Sequence, residues 1–455
     1  MFLGRTCELK YLNTYYDRAG SQIMVVYGEK NVGKTTLLRR FVQDRSHYYY
    51  KARAASEREQ RYQWGRELEE DGEDPGEYPS FYRILQTVGK AEHRKKVIII
   101  DEFQIIIKAC ESFMPQLLEF VNDSKKNGQE VMVILCSSSI GWVENNMITK
   151  IGEAAYELSG FLKIKELSFE ELREYFPAFS MEQCVEAYAI LGGVPGHWKH
   201  FNDRLSIREN VCKYILDPGA FLFEEGQRIV EAQLREMSVY HTILASIAAG
   251  NQKLNDLYLH TGFSRAKISV YLKNLMELEL VEKIFSYDTE GKANTQKGIY
   301  RISNHLVHFY FAYLYPNVSR LENMSAEAFY DKYIAPDFKN YVSGYFRQVC
   351  RQCIEKWDVW EKCPVKIDRI GEWIGKLGII DIVVQNENGQ TMIGGCNWDS
   401  KRMRYEDYEW LLFCAEKAKL QVDYVYLFSV GRFDEKLDLE AKVKQNLKLI
   451  SLDEM

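Results

Sequence analysis

The sequence predicts an α/β protein: a buried parallel sheet in the N-terminal part, a helix-rich middle that passes into a small α+β segment, and a second α/β domain towards the C-terminus. Three observations predict it. The apolar runs in "QIMVVYG", "KKVIIID" and "EVMVILCSSS" are strand-length, and helical stretches such as "SFMPQLLEFVNDSKKNG" separate them, as in parallel sheets covered on both faces. From about 168 to 235 the chain is helix-rich, and two further helices around a Gly262 turn follow. In "GIIDIVVQNENGQTMIGGCNW" (378–398), two apolar runs flank Asn388-Gly389, a pair suited to the positive φ angles of a tight hairpin turn.

Composition narrows the class. A chain of 455 residues suits two to four domains, and 46% hydrophobic with 27% charged residues is ordinary for a globular protein. Aromatic content of 13%, with 30 Tyr, suits large packed interfaces or simply Tyr-rich cores. A net charge of −6, from 59 basic and 65 acidic residues, argues against a surface coated for phosphate and leaves room for a local basic face. No run approaches the roughly 18 apolar residues of a membrane span. The opening "MFLGRTCELKYLNTYY" turns polar too early for a signal peptide, so the ten scattered cysteines read as reduced thiols and the expected location is cytoplasmic. Cys350-x-x-Cys353 reads as a pair of helix neighbours rather than zinc ligands, and the eight His form no HExxH pattern.

The N-terminal region carries the clearest chemistry. "QIMVVYGEKNVGKTTLLRRF" runs from a strand through a glycine-bounded loop into a helix, and Gly28-x4-Gly33-Lys34-Thr35 matches GxxxxGK[ST] in the context that a P-loop requires. Glycines let the loop turn its N–H groups inward onto phosphates, and the helix N-terminus adds positive potential. The expected ATP contacts are Gly28, Glu29, Lys30, Asn31, Val32, Gly33, Lys34, Thr35 and Thr36, with Lys34 on the β- and γ-phosphates and Thr35 on Mg²⁺. The second strand ends in Asp101-Glu102, at the carboxyl edge where α/β sheets bind ligands. Asp101 is expected to hold Mg²⁺ and Glu102 to polarise the attacking water. The third strand ends in Ser137–Ser139, so Ser137 and Ser138 are candidate sensors of the γ-phosphate or of that water, although any strand end can carry Ser.

This order of strands resembles that of the AAA-like and STAND-type ATPases, and more narrowly the archaeal-type ATPase family. "FLGRTCELKYL" resembles the family's opening motif through Arg5, Glu8, Leu9 and Leu12, and "GGVP" at Gly192, Gly193, Val194 and Pro195 resembles its lid motif. The resemblance implies an Arg after a Gly in the segment following the third strand; here Phe161 follows Gly160. With no arginine finger there, ATP is expected to bind well and turn over slowly unless a partner supplies the Arg.

The resemblance extends along the chain and implies a P-loop ATPase core at 1–167, a helical lid at 168–235, a winged helix at 236–315, a linker at 316–339 and a nuclease-like domain at 340–455. In "GFSRAKISVYLKNLMELELVEKI", Gly262 reads as the turn between two helices and Ser264 as the N-cap of the second. Ile268, Leu272 and Leu275 face inward, and Arg265, Lys267 and Lys273 lie towards the other side as candidate DNA contacts. The same module also serves purely for packing in multidomain ATPases, so both uses stay open. The wing is expected from "LVEKIFSY", the loop "DTEGKANTQKG" and "IYRISN".

The C-terminal domain resembles the relative of PD-(D/E)XK nucleases that this family carries, whose pattern has a helix Glu, an E-I-D strand and an E-C-K-W strand. Arg347 stands for the helix Glu, Ile379-Ile380-Asp381 keeps only the Asp, and Gly395-Cys396-Asn397-Trp398 lacks both acid and Lys. Gly371, Trp373 and Gly375 keep the surrounding frame. Mg²⁺ needs hard oxygens from at least two carboxylates, so nuclease activity is not expected unless Glu372, Asp399 or Glu406 takes over the role. The leading expectation is therefore an ATP-dependent switch that repositions the winged helix and a silent nuclease fold, with a protein partner or self-association. The alternatives are an ATP-driven DNA-associated protein of defence or mobile-element type, and a nucleotide-gated protein binder without nucleic acid.

Overall fold

The computed structural model describes residues 2–90, 95–231, 234–289, 298–399 and 402–455. They form two compact units, Met1–Leu167 with Val194–Gly196, and Ser168–Gly193 with His197–Met455. No helix among the described residues is long and apolar enough to cross a membrane.

In the first unit, helix α1 (Thr6–Tyr16) precedes strand β1 (Gln22–Gly28), and helix α2 (Lys34–Val42) follows it. The further strands are β2 (His47–Lys51), β3 (Lys96–Asp101), β4 (Val131–Ser137) and β5 (Gly160–Ile164). They form a parallel sheet in the order β2-β3-β4-β1-β5. The strand period of two divides β3 between two cores. Ile98 and Ile100 face a cluster with Trp64, Phe81 and Phe113, while Val97 and Ile99 face one with Leu37, Leu38 and Phe41. Burial on both sides is why these strands read as unbroken apolar runs. Two strands escape the sequence reading for the same physical reason. β2 (HYYYK) and β5 (GFLKI) lie at the edges, half-buried, and carry no such run.

The second unit begins with helices that include Met181–Leu191 and Ile207–Tyr214, both closed at their starts by Ser–Glu/Gln capping boxes. Leu254–Thr261 and Arg265–Glu277 follow, with Gly262 in the left-handed region between them (φ 71°). Strands β6 (Val281–Ile284) and β7 (Ile299–Ile302) then pair antiparallel. The loop expected between them lies mostly outside the described residues, at 290–297.

The segment expected as a linker, 316–339, is helical: short turns lead through buried Phe329 and Ile334 into a long helix, Ala335–Val359. That helix starts ahead of the boundary set at 340 because Pro336 lies in its first turn, where a missing N–H costs nothing.

The C-terminal sheet comprises β8 (Arg369–Ile374), β9 (Ile379–Gln385), β10 (Thr391–Asn397), β11 (Tyr424–Ser429) and β12 (Leu447–Ser451), in the order β12-β11-β10-β9-β8. Three parallel strands join two antiparallel ones. The β9–β10 hairpin closes on Gln385 opposite Thr391, with Gly389 at φ 82°.

The chain beyond β6 joins this sheet. Tyr287 donates its backbone N–H to Glu372 O at 2.7 Å, and Ile374 N–H donates to Ser286 Oγ at 2.9 Å. The Tyr287 ring is buried in the core of the C-terminal sheet with Trp373, Ile380 and Ile393. Across the same joint, Arg301 of β7 holds Glu372 of β8 through two hydrogen bonds of 2.6 and 2.8 Å.

Candidate functional site

The loop between β1 and α2 is held from three sides. A Cβ on Gly28 would lie 2.3 Å from Ile164 O on the neighbouring β5, so only glycine fits there. Arg5 donates from Nη2 to Val32 O at 3.0 Å and from Nη1 to Glu8 at 2.9 Å, tying the opening segment to the loop. On the remaining side, Gly196 donates its N–H to Asn31 O at 3.0 Å, and Pro195 packs beside Gly33. A Cβ on Gly196 would come within 2.5 Å of Asn31 Cβ, so this close approach needs a glycine too. Asn31 (φ 67°) and Gly33 (φ 103°) are both left-handed, the alternation that turns backbone N–H groups to one side.

Lys34 is buried, and its Nζ donates to two loop carbonyls, Gly28 O at 2.9 Å and Glu29 O at 2.7 Å. Burial lowers its pKa, against the nearby thiol of Cys136 and the carboxylates of Glu102, Asp101 and Glu29. A buried ammonium resting on neutral carbonyls fits a phosphate group, which supplies the counter-charge. Lys30 is exposed within the loop and Thr36 in the first turn of α2.

The acidic edge assembles beside it. Asp101 is 6% exposed; its Oδ2 accepts from the Tyr49 hydroxyl and its Oδ1 from the Glu102 N–H at 3.0 Å. Burial and the Asp101 carboxylate raise the Tyr49 pKa, and the nearby Thr35 hydroxyl opposes them. Thr35 and Asp101 thus both lie beside the Tyr49 phenol, a pair of hard oxygen donors that fits Mg²⁺. Glu102, left-handed at φ 55°, turns its carboxylate towards β4. Its Oε2 accepts from Ser138 Oγ at 2.8 Å, from Ser138 N–H at 3.3 Å and from Gln104 Nε2 at 2.5 Å. Of the two candidate sensors, Ser138 meets the acid. Ser137 is fully buried and its hydroxyl accepts from Ser139 N–H at 3.1 Å. Tyr49 was absent from the sequence reading; a tyrosine inside a weak edge strand carries no signal until β2 is placed beside β3. Phe161 lies on β5, 42% exposed, opposite Val25.

The candidate DNA residues separate. Ser264 caps the Arg265–Glu277 helix through Lys267 N–H, and Ile268, Leu272 and Leu275 are buried as expected. Arg265 and Lys267, two residues apart, point about 200° from one another around the helix. Arg265 bonds Asn255 at 2.6 Å and lies over Tyr258, Lys267 lies over Phe263, and Lys273 pairs with Glu277 at 3.8 Å. The three cations therefore form no single stripe.

In the C-terminal sheet the remaining acid is occupied. Asp381 meets Arg347 at 2.9 Å, a charge contact off the hydrogen-bond line, and accepts from Cys396 N–H at 2.8 Å. Burial raises its pKa, with Arg347 and the Cys396 N–H opposing. Glu372 is held by Arg301, and Asp399 and Glu406 are exposed. Among the described residues, no group of three or more His, Cys, Asp or Glu is placed to hold a metal ion.

Comparison with known proteins agrees with the motifs. Residues 2–201 match the model of a family described as an ATPase domain predominantly from Archaea, and residues 310–408 match the DUF234 model, described as archaea bacterial proteins of unknown function. An uncharacterized protein of Methanocaldococcus jannaschii is 30% identical over 395 residues, covering 86% of each chain. Among solved structures, the chain is similar to the Walker-type ATPase of Pyrococcus abyssi (17% identity, TM-score 0.48, covering 68% of this chain and 96% of that one). It is also similar to the ORC2 protein of Aeropyrum pernix in its ADPNP–ADP complexes (15% identity, TM-score 0.47, covering 71% of this chain and 95% of that one).

Proposed function

The chain belongs to the archaeal-type P-loop ATPase family, and on that premise we propose that it is an ATP-dependent switch with slow hydrolysis. The observation that carries this reading is the hydrogen bond from Gly196 to Asn31. The three residues Val194–Gly196 rest on the P-loop and belong to the first unit, whereas their chain neighbours Gly193 and His197 belong to the second. Phosphate entering the loop displaces Lys34 from the carbonyls of Gly28 and Glu29 and so changes the footing of that short segment.

Within the site, Lys34 would neutralise phosphate charge, Glu102 would orient water and Ser138 would hold Glu102 in place. Thr35 and Asp101 would hold Mg²⁺, which when bound offsets the charge of the phosphate oxygens. Phe161, standing where the family resemblance places an arginine, supports slow turnover. Because Arg301–Glu372 and Tyr287 join the β6–β7 ribbon to the C-terminal sheet, the winged-helix segment and the nuclease-like domain would shift together rather than separately.

The test is hydrogen exchange of the full chain with and without Mg·ATP. Wild type should change protection beyond residue 197, and Gly196→Ala should bind ATP without transmitting that change. Identical exchange in wild type with and without nucleotide would sink the switch.

A second reading, contact with DNA, has one specific support. A cleft of about 1070 Å³ at the start of the Arg265–Glu277 helix is lined by Lys253, Arg265, Lys283 and Lys376, with Asp288 the one acid among the described residues that line it. Duplex DNA that raises ATP turnover, and loses that effect in a Lys253→Ser/Lys283→Ser/Lys376→Ser variant, would favour it; no response to DNA would leave the protein-partner form of the switch.

A further inference from the structure

Tyr49 belongs to no recognised motif, yet it bonds directly to the acid assigned to the metal. It lies on β2, paired with β3 so that Tyr49 is level with Ile99, and its side chain runs along the sheet edge towards Asp101. The phenol oxygen donates to Asp101 Oδ2. Since Asp101 Oδ1 accepts from Glu102 N–H, both carboxylate oxygens have a donor and the group cannot turn freely about its last torsion.

We infer that Tyr49 is a positioning residue for Mg²⁺, holding the Asp101 carboxylate in the orientation from which it would take a divalent ion beside the nucleotide phosphates. Three observations carry it. The contact fixes the side chain that ends β3 from the neighbouring strand β2, so the acid's direction is set by strand pairing. In the loop Lys34 is held by Gly28 and Glu29, and Val32 by Arg5, whereas the Tyr49 hydroxyl donates to Asp101. The Tyr49 ring packs against the Leu37–Phe41 core, which a phenylalanine would also fill, so the oxygen is needed only for its hydrogen bonds. Groups that orient metal ligands in this way change metal affinity about 10–100-fold when removed.

The inference rests on the P-loop reading, and the test separates the two. Binding of a fluorescent N-methylanthraniloyl ATP to the full chain is measured in EDTA and then across a Mg²⁺ titration, for wild type, Tyr49→Phe, Asp101→Asn and Lys34→Ala. Tyr49→Phe should bind the metal-free nucleotide as wild type does and need about tenfold more Mg²⁺ to reach the tight complex. Asp101→Asn should lose the Mg²⁺ response altogether. A Tyr49→Phe midpoint equal to wild type would overturn the inference, and so would an equal loss of affinity in EDTA, which is the signature of a merely structural role. Lys34→Ala binding nucleotide as tightly as wild type would instead sink the P-loop reading itself.

Discussion

The Ser138 hydroxyl donates to Glu102 Oε2 at 2.8 Å, and the Ser138 backbone N–H reaches the same oxygen at 3.3 Å. The tip of β4 thereby sets the direction of the acid that follows β3. Removing one hydrogen bond to a charged group costs roughly 1.5 kcal/mol, so Ser138→Ala should lower kcat about tenfold and leave ATP affinity unchanged. Glu102→Gln should abolish turnover while still binding ATP. Single-turnover hydrolysis beside equilibrium binding separates these outcomes; a Ser138→Ala enzyme with wild-type kcat would remove Ser138 from the site.

Lys34 gives a more drastic prediction. Its Nζ is buried and already bonded to two carbonyls, which phosphate oxygens replace. Losing two charge-assisted bonds of about 1.5 kcal/mol each should weaken ATP binding about a hundredfold in Lys34→Ala. Thermal unfolding of the variant should match or exceed wild type, because the substitution also removes a buried cation. Calorimetric titration checks the affinity directly.

The joint between the ribbon and the C-terminal sheet is testable by stability. Arg301→Ala leaves Glu372 beneath the ribbon without its partner and should cost about 3 kcal/mol in urea unfolding. Replacing both residues by Met should recover most of that loss, since the pair removed together leaves no unpaired charge. If Arg301→Ala proves neutral, the β6–β7 ribbon is held by Tyr287 and its backbone contacts alone.

Acid should weaken the second unit through its histidines. Burial pushes His197 and His305 down to about 4 and His308 to about 3. Their folded pKa values lie below the unfolded value of about 6.5. The unfolded chain therefore takes up protons first, and stability present above about pH 6.5 is lost as pH falls towards 4, at about 1.4 kcal/mol per unit for each group. Urea unfolding of wild type and His308→Gln across that range should show a smaller slope in the variant.

Much of the nucleotide site was legible because it is local. Gly28, Gly33, Lys34 and Thr35 fall within one strand–turn–helix unit, and Asp101-Glu102 end a run that only a doubly covered strand explains. The β9–β10 hairpin was legible too, because Asn388-Gly389 between two apolar runs is a local turn signal. The edge strands β2 and β5 were not, because half-buried strands lack the unbroken apolar signal.

The sequence by itself therefore determined the local elements: a strand–glycine loop–helix unit of P-loop pattern, an apolar strand ending in two acids, a Ser-capped helix and a hairpin turning at Asn388-Gly389. Tertiary structure alone decided which groups meet. Tyr49 reaches Asp101 because β2 lies next to β3, and Ser138 rather than Ser137 meets Glu102 because β4 lies on the other side of β3 and successive strand residues face opposite ways. Gly196 reaches Asn31 and Arg301 reaches Glu372 across long stretches of chain. Strand order and the docking of distant segments follow from burying whole faces together, and no short window of sequence contains both partners.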